Sequence, residues 1–212
     1  MVPPISIVIN AVIPPLAVAA WLWILVGATD SGDLSNKGVK SLQYFTVLSN
    51  LFSGAASGIY LAVCWGSVLG LSLWLVTLRL VAAAAVMLTF LVTAVLLVPL
   101  YGWKSLYRGG NFWLHLVLPL LAAADCCLFL PLGEVPLCLT LWAMAPTALY
   151  GAFYMGRVFL HGAKKGDAEY DFYGFLRWGA KAVPAVLAAM LLSTWGIALG
   201  LRLLGQLVSG CL

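Results

Sequence analysis

Residues 71–98 read LSLWLVTLRLVAAAAVMLTFLVTAVLLV, with Arg79 as the only charged side chain. The run exceeds the ~20 residues that a helix needs to cross the ~30 Å hydrocarbon core of a bilayer. In lipid every backbone polar group must be satisfied internally, which leaves helices or closed barrels. A run this long without apolar–polar alternation means a helix. Five further apolar stretches flank it, at 5–26, 44–66, 111–132, 136–159 and 180–204. The reading is an all-α integral membrane protein, a six-transmembrane-helix bundle forming one domain over residues 1–212. The linkers near 66–70 and 133–134 are short, so the helices that they join form antiparallel hairpins.

Composition agrees. The chain is 64% hydrophobic and 8% charged, against about 25% charged in a soluble domain. One globular core cannot absorb this much Leu, Val and Ala. The net charge of +4 is small and sits in loops. No basic patch carries interleaved exposed aromatics, so nucleic acid is not an expected partner. The N-terminus, Met1-Val2-Pro3-Pro4, lacks a basic n-region and a cleavage site, which makes the first stretch a retained span. Five cysteines (Cys64, Cys126, Cys127, Cys138 and Cys211) show no ligand spacing with one another or with histidine. No metal and no cofactor are expected.

Orientation follows from Lys and Arg. Lys37, Lys40, Lys104, Arg108, Arg157, Lys164, Lys165, Arg177 and Lys181 hold or border the linkers after helices 1, 3 and 5, whereas only Arg79 and Arg202 lie elsewhere. This nine-to-two distribution places those three linkers in the cytoplasm and both termini outside a cell membrane. The linker at about 157–181 holds eight of the eighteen charged residues. Its cations suit anionic headgroups. Its rings (Tyr170, Phe172, Tyr173, Phe175 and Trp178) read as an interfacial belt or, more sharply, as a lid over that end of the bundle. Gly54/Gly58 and Gly196/Gly200 form GxxxG pairs that permit close helix approach, by default within the chain. Pro14-Pro15, Pro119, Pro146 and Pro184 are expected to kink their helices. No internal repeat is evident, which speaks against an inverted-repeat transporter.

Three groups of polar residues interrupt the apolar spans. In helix 2, Thr46, Ser49, Asn50, Ser53 and Ser57 recur at three- and four-residue steps as one stripe. Such a stripe serves interhelical hydrogen bonding as readily as chemistry. In helix 4, His115 lies four residues before Pro119, which has no N–H for the His115 carbonyl. That geometry suggests a bend beside a polar group, although a histidine at headgroup level fits as well. Thr46 and His115 both lie near the start of their helices and match in depth within about one turn, ~5 Å. Asp125 lies ten residues beyond His115, hence about 15 Å deeper, too far to orient the imidazole. Arg79 reaches a similar depth from helix 3. An intramembrane Arg79–Asp125 pair is the economical expectation, structural first and a polar path second.

Three segments carry a family resemblance: YFTVLSNLF at 44–52, LHLVLPLLAAAD at 114–125 and YDFYGFL at 170–176. They resemble motifs of the bacterial "Pr-six-Pr" six-helix membrane proteins, a family similar to the eukaryotic androgen-induced and androgen-dependent multi-pass proteins. Those relatives are threonine hydrolases of fatty-acid esters of hydroxy fatty acids. The resemblance implies Thr46 as nucleophile and His115 as its base, acting on a lipid ester that enters laterally among the membrane lipids. Asn50 is then a candidate oxyanion donor, and Ser49 and Ser53 are pocket candidates. The chain departs from the pattern at Cys126, where Trp is common, and at Asp171 and Gly174, where prolines are usual. The alternative is a non-enzymatic lipid-binding, transport or scaffold protein.

Overall fold

A computed structural model describes residues 3–26, 38–66, 71–167 and 169–211. Met1, Val2, Lys37 and the linker residues 67–70 lie outside them. Among the described residues six helices are long and apolar enough to cross a membrane: α1 Pro4–Leu25, α2 Phe45–Gly66, α3 Leu73–Leu97, α4 Gly110–Phe129, α5 Leu137–Leu160 and α6 Ala182–Cys211. Among the described residues there is no strand. The chain is thus a multi-pass membrane protein folded as an all-α six-helix bundle.

Helix α3 occupies the centre and packs against α2, α4, α5 and α6. Its residues Leu75–Val86 are buried apart from Leu78, including four consecutive alanines, Ala82 to Ala85. Small side chains on all sides let neighbouring backbones approach closely, which is what draws helices together where lipid competes with every apolar contact. Helix α1 packs on α2 and α4, and α6 packs on α4 and α5.

Two helices widen just ahead of a proline. A π-helical turn spans Thr93–Leu97 before Pro99, and another spans Trp113–Val117 before Pro119. A proline ring clashes with the carbonyl four residues back and offers it no N–H. An extra residue in the turn relieves both problems, and such π-bulges recur at functional sites. Helix α5 contains a tighter 3-10 turn, Leu141–Ala143, just before Pro146. Pro184 does not fit the expectation of a kink. It is the third residue of α6, in the first turn, where its missing N–H removes no intrahelical bond.

The glycine pairs also divide. A side chain at Gly54 would sit 3.4 Å from the Pro14 Cα, so α1 and α2 meet closely there. Gly196 and Gly200 have nothing within 4 Å of a built Cβ. Among the described residues the α6 pair therefore makes no close helix contact, contrary to the default expectation.

At the end of the bundle that carries most of the basic residues, the segment after α5 folds inward. Phe172, Phe175 and Leu176 are buried with Tyr150, Tyr154 and Val158 of α5 and Val183 and Leu187 of α6. The buried carboxylate of Asp171 accepts hydrogen bonds from the Tyr154 hydroxyl and from the N–H groups of Phe175 (2.8 Å) and Leu176 (2.9 Å). Of the belt candidates, Trp178 is the one that faces outward, 54% exposed. The Tyr173 hydroxyl accepts the Phe45 N–H at 3.0 Å, supplying a partner for the first turn of α2. Burial pushes the Tyr173 phenol up to about 12.

Candidate functional site

Two polar centres lie inside the bundle. The deeper one surrounds Arg79 and Asp125, both fully buried, whose side chains meet at 3.2 Å. Asp125 also accepts from Ser6 Oγ at 2.6 Å and from Asn10 Nδ2 at 2.8 Å. Arg79 Nη1 donates to Ser57 Oγ at 2.7 Å, and the guanidinium lies 6.0 Å from the Tyr60 ring. Four helices thus converge on one ion pair. The expected pairing of Arg79 with Asp125 is present. Ser6 and Asn10 were not foreseen, although they stand four apart on one face of an otherwise apolar helix. That i, i+4 spacing is the signal that identifies them.

The second centre lies near the start of α2 and α4. Thr46 Oγ1 is 3.3 Å from His115 Nε2. The other ring nitrogen, Nδ1, lies 3.2 Å from the Leu106 carbonyl oxygen. A carbonyl can only accept, so in the neutral ring Nδ1 carries the proton and Nε2 is the bare acceptor. The Thr46 hydroxyl therefore donates to Nε2. The distance is long for an O–H···N bond, and such pairs are often loose before substrate binds.

Local structure explains how Leu106 reaches the ring. A four-residue helical turn, Trp103–Leu106, sits between Gly102 at φ 81° and a reversal at Gly109, φ 55°. Side chains rarely tolerate those angles, and glycine lets the linker double back over α4. At Gly110 a Cβ would stand 2.6 Å from the Ala20 carbonyl, so only glycine lets α4 begin this close to α1. The π-turn Trp113–Val117 then carries His115 inward, where it is 7% exposed.

The rest of the α2 stripe lines up behind this pair. Ser49 Oγ donates to the Thr46 carbonyl at 3.2 Å and lies 3.2 Å from Thr89 Oγ1. Asn50 Nδ2 donates to the carbonyls of Thr46 (2.8 Å) and Leu114 (3.0 Å). Both amide hydrogens are therefore committed. This corrects the expectation that Asn50 donates to an oxyanion: its available atom is Oδ1, an acceptor, which repels negative charge. Asn50 Oδ1 and Ser53 Oγ are buried and have no hydrogen-bond partner among the described residues.

An apolar groove of about 670 Å³ runs between α3 and α5, lined by Phe52, Trp74, Leu78, Trp142, Pro146 and Leu149 among others. Neither Thr46 nor His115 lines it. Among the described residues no three His, Cys, Asp or Glu side chains gather where they would hold a metal ion. Comparison with known proteins finds no matching family model, no matching curated protein and no matching solved structure.

Proposed function

We propose that this protein is an intramembrane hydrolase of lipid esters, with Thr46 as nucleophile and His115 as general base. The supporting observation is the chain Leu106 C=O···H–Nδ1 His115 Nε2···H–Oγ1 Thr46. A threonine hydroxyl is unreactive at its ordinary pKa and needs an adjacent base. The base in turn needs a group that fixes its tautomer, a role that a carboxylate plays in serine hydrolases. Here a backbone carbonyl has the geometry to play it. In the reaction His115 Nε2 takes the Thr46 proton as Oγ1 attacks the ester carbonyl carbon. The same proton then goes to the leaving alkoxide, and an acyl-Thr46 ester remains.

The segment resemblance to the Pr-six-Pr proteins, and through them to the threonine hydrolases of fatty-acid esters of hydroxy fatty acids, supports the same assignment. Membrane lipids or a lipid ester are the partners that this reading implies. The nine-to-two charge distribution supports a cytoplasmic position for the end that carries the site, in a cell membrane with both termini outside. The Arg79–Asp125 centre has donors and acceptors from four helices around it, which supports a structural role for it rather than a path. Turnover of a long-chain p-nitrophenyl ester by protein in lipid nanodiscs tests the reading. Thr46→Ala and His115→Ala each abolish turnover if it is correct, and activity in both variants excludes it.

A further inference from the structure

Attack by Thr46 on an ester gathers negative charge on the carbonyl oxygen, which needs hydrogen-bond donors fixed in advance. The Asn50 amide hydrogens are already engaged. The first turn of α2 holds an alternative. A helix leaves its first four N–H groups without intrahelical partners. In α2 these belong to Phe45, Thr46, Val47 and Leu48. Val47 and Leu48 donate to the Tyr44 carbonyl, at 3.1 and 3.2 Å, and Phe45 donates to the Tyr173 hydroxyl at 3.0 Å. The Thr46 N–H is left with no partner among the described residues. It belongs to the nucleophile itself.

Tyr173 brings a second donor to the same end of α2. Its oxygen accepts the Phe45 N–H, so its own hydrogen points elsewhere. The hydroxyls of Tyr150 and Tyr173 lie 3.4 Å apart, too far for a strong bond. Tyr150 spends its single hydroxyl hydrogen on the Gln43 carbonyl at 2.6 Å. The Tyr173 hydrogen is therefore uncommitted apart from that long contact. The ring itself is held in place, stacked on Phe175 at 5.3 Å between centroids, in a segment whose turn the buried Asp171 caps. In a helix the N–H groups and the Cα–Cβ bonds both lean toward the N-terminus. An acyl group on Thr46 Oγ1 can thus present its oxygen at the end of α2 where the Thr46 N–H and Tyr173 lie. Adjacent helical nitrogens are about 2.8 Å apart, which puts Tyr173 Oη within about 6 Å of the Thr46 nitrogen. Two donors that share one oxygen at ~2.9 Å each fit within that span.

We propose that the Tyr173 hydroxyl and the Thr46 N–H form the oxyanion hole of the Thr46–His115 site. The inference rests on the hydrolase reading above and adds the groups that receive the charge. The step balances. Thr46 Oγ1 bonds to the ester carbon, its proton passes to His115 Nε2, and the carbonyl π pair moves onto the oxygen that Tyr173 and the Thr46 N–H hold. When that pair returns, the bond to the leaving alkoxide breaks, and the alkoxide takes the proton from Nε2. The positive end of the α2 dipole lies at the same place and favours the same charge. The aromatic segment after α5 is then part of the active site, not only a cover over one end of the bundle.

The test compares ground-state and tetrahedral binding, using the full chain in nanodiscs, p-nitrophenyl octanoate as substrate and octyl trifluoromethyl ketone, which adds to a nucleophilic hydroxyl as an oxyanion. In Tyr173→Phe, kcat falls about a hundredfold while KM changes little, and ketone affinity falls by the same factor as kcat/KM. Tyr150→Phe removes a neighbouring hydroxyl of the same cluster, one that serves Gln43, and costs less than about threefold in kcat. If Tyr173→Phe does not fold, a structure of the wild-type ketone adduct decides: its oxygen stands about 2.7–3.1 Å from both Tyr173 Oη and the Thr46 nitrogen. An unchanged kcat in Tyr173→Phe, equal losses in the two phenylalanine variants, unchanged ketone affinity, or an adduct oxygen out of reach of Tyr173 overturns the oxyanion hole and leaves the hydrolase reading standing. A wild type that neither turns over the ester nor forms a ketone adduct on Thr46 overturns both.

Discussion

Replacing Asp125 and Arg79 singly and together tests whether the deep polar centre is a coupled pair. Asp125→Leu leaves a buried guanidinium without its carboxylate, with Ser57 and the face of Tyr60 as company. Removing one partner of a buried ion pair costs about 3–5 kcal/mol, and this variant belongs at the upper end. Arg79→Leu is milder. Asp125 keeps the Ser6 and Asn10 donors, so a loss of about 3 kcal/mol is expected. The double leucine variant leaves no buried charge. It still removes one hydrogen-bond partner from each of Ser6, Asn10 and Ser57, at about 1 kcal/mol each, for a loss of roughly 3 kcal/mol. The double variant should therefore be no worse than the milder single one, with a coupling of about 5 kcal/mol between the sites. Reversible unfolding in mixed micelles by SDS titration, read by tryptophan fluorescence, gives all four values. Additive losses, with the double variant least stable of all, would show that Arg79 and Asp125 are not coupled.

Three other outcomes are expected. Gly110→Ala forces a Cβ to within 2.6 Å of the Ala20 carbonyl and should destabilise the fold by about 1–3 kcal/mol in the same titration, whereas Gly196→Ala should be nearly silent. The Tyr173 phenol is raised from 10.0 to about 12, chiefly by burial. A raised acid favours the neutral form in the fold, so its contribution is complete below pH 10.0 and is lost as pH rises toward about 12. Protection of the 170–178 segment from protease should fall over that window, and the fall should be smaller in Tyr173→Phe. A cysteine at Lys165 should react with a membrane-impermeant maleimide in inside-out vesicles and not in right-side-out cells, and the reverse pattern would invert the proposed orientation.

The spans were legible because the hydrocarbon thickness imposes a minimum length on any apolar helix, and six stretches of the chain meet it. The Arg79–Asp125 contact was legible because a lone charge in a span is too costly to stand, so matched depth selects the partner. The contact between Thr46 and His115 was approachable from depth and motif together. What could not be read was backbone reach. Leu106 looks like any apolar linker residue, and its contribution is a carbonyl oxygen placed by two glycine angles. Asn50 illustrates a different limit, since sequence shows an amide on the right face but not which of its atoms is already engaged. Gly196 and Gly200 carry the same spacing as Gly54 and Gly58, yet among the described residues only at Gly54 would a side chain meet a neighbouring helix, because spacing does not reveal which helix face is turned inward.

The hydrolase reading requires Thr46 to be a nucleophile activated by His115. The direct measurement is peptide mass mapping of nanodisc-embedded protein after exposure to a fluorophosphonate probe. An activated Thr46 gives an adduct on its Oγ1 that vanishes in Thr46→Ala and is strongly reduced in His115→Ala, with each variant retaining the wild-type unfolding midpoint. An adduct on another residue, or Thr46 labelling that is unchanged in His115→Ala, would contradict it.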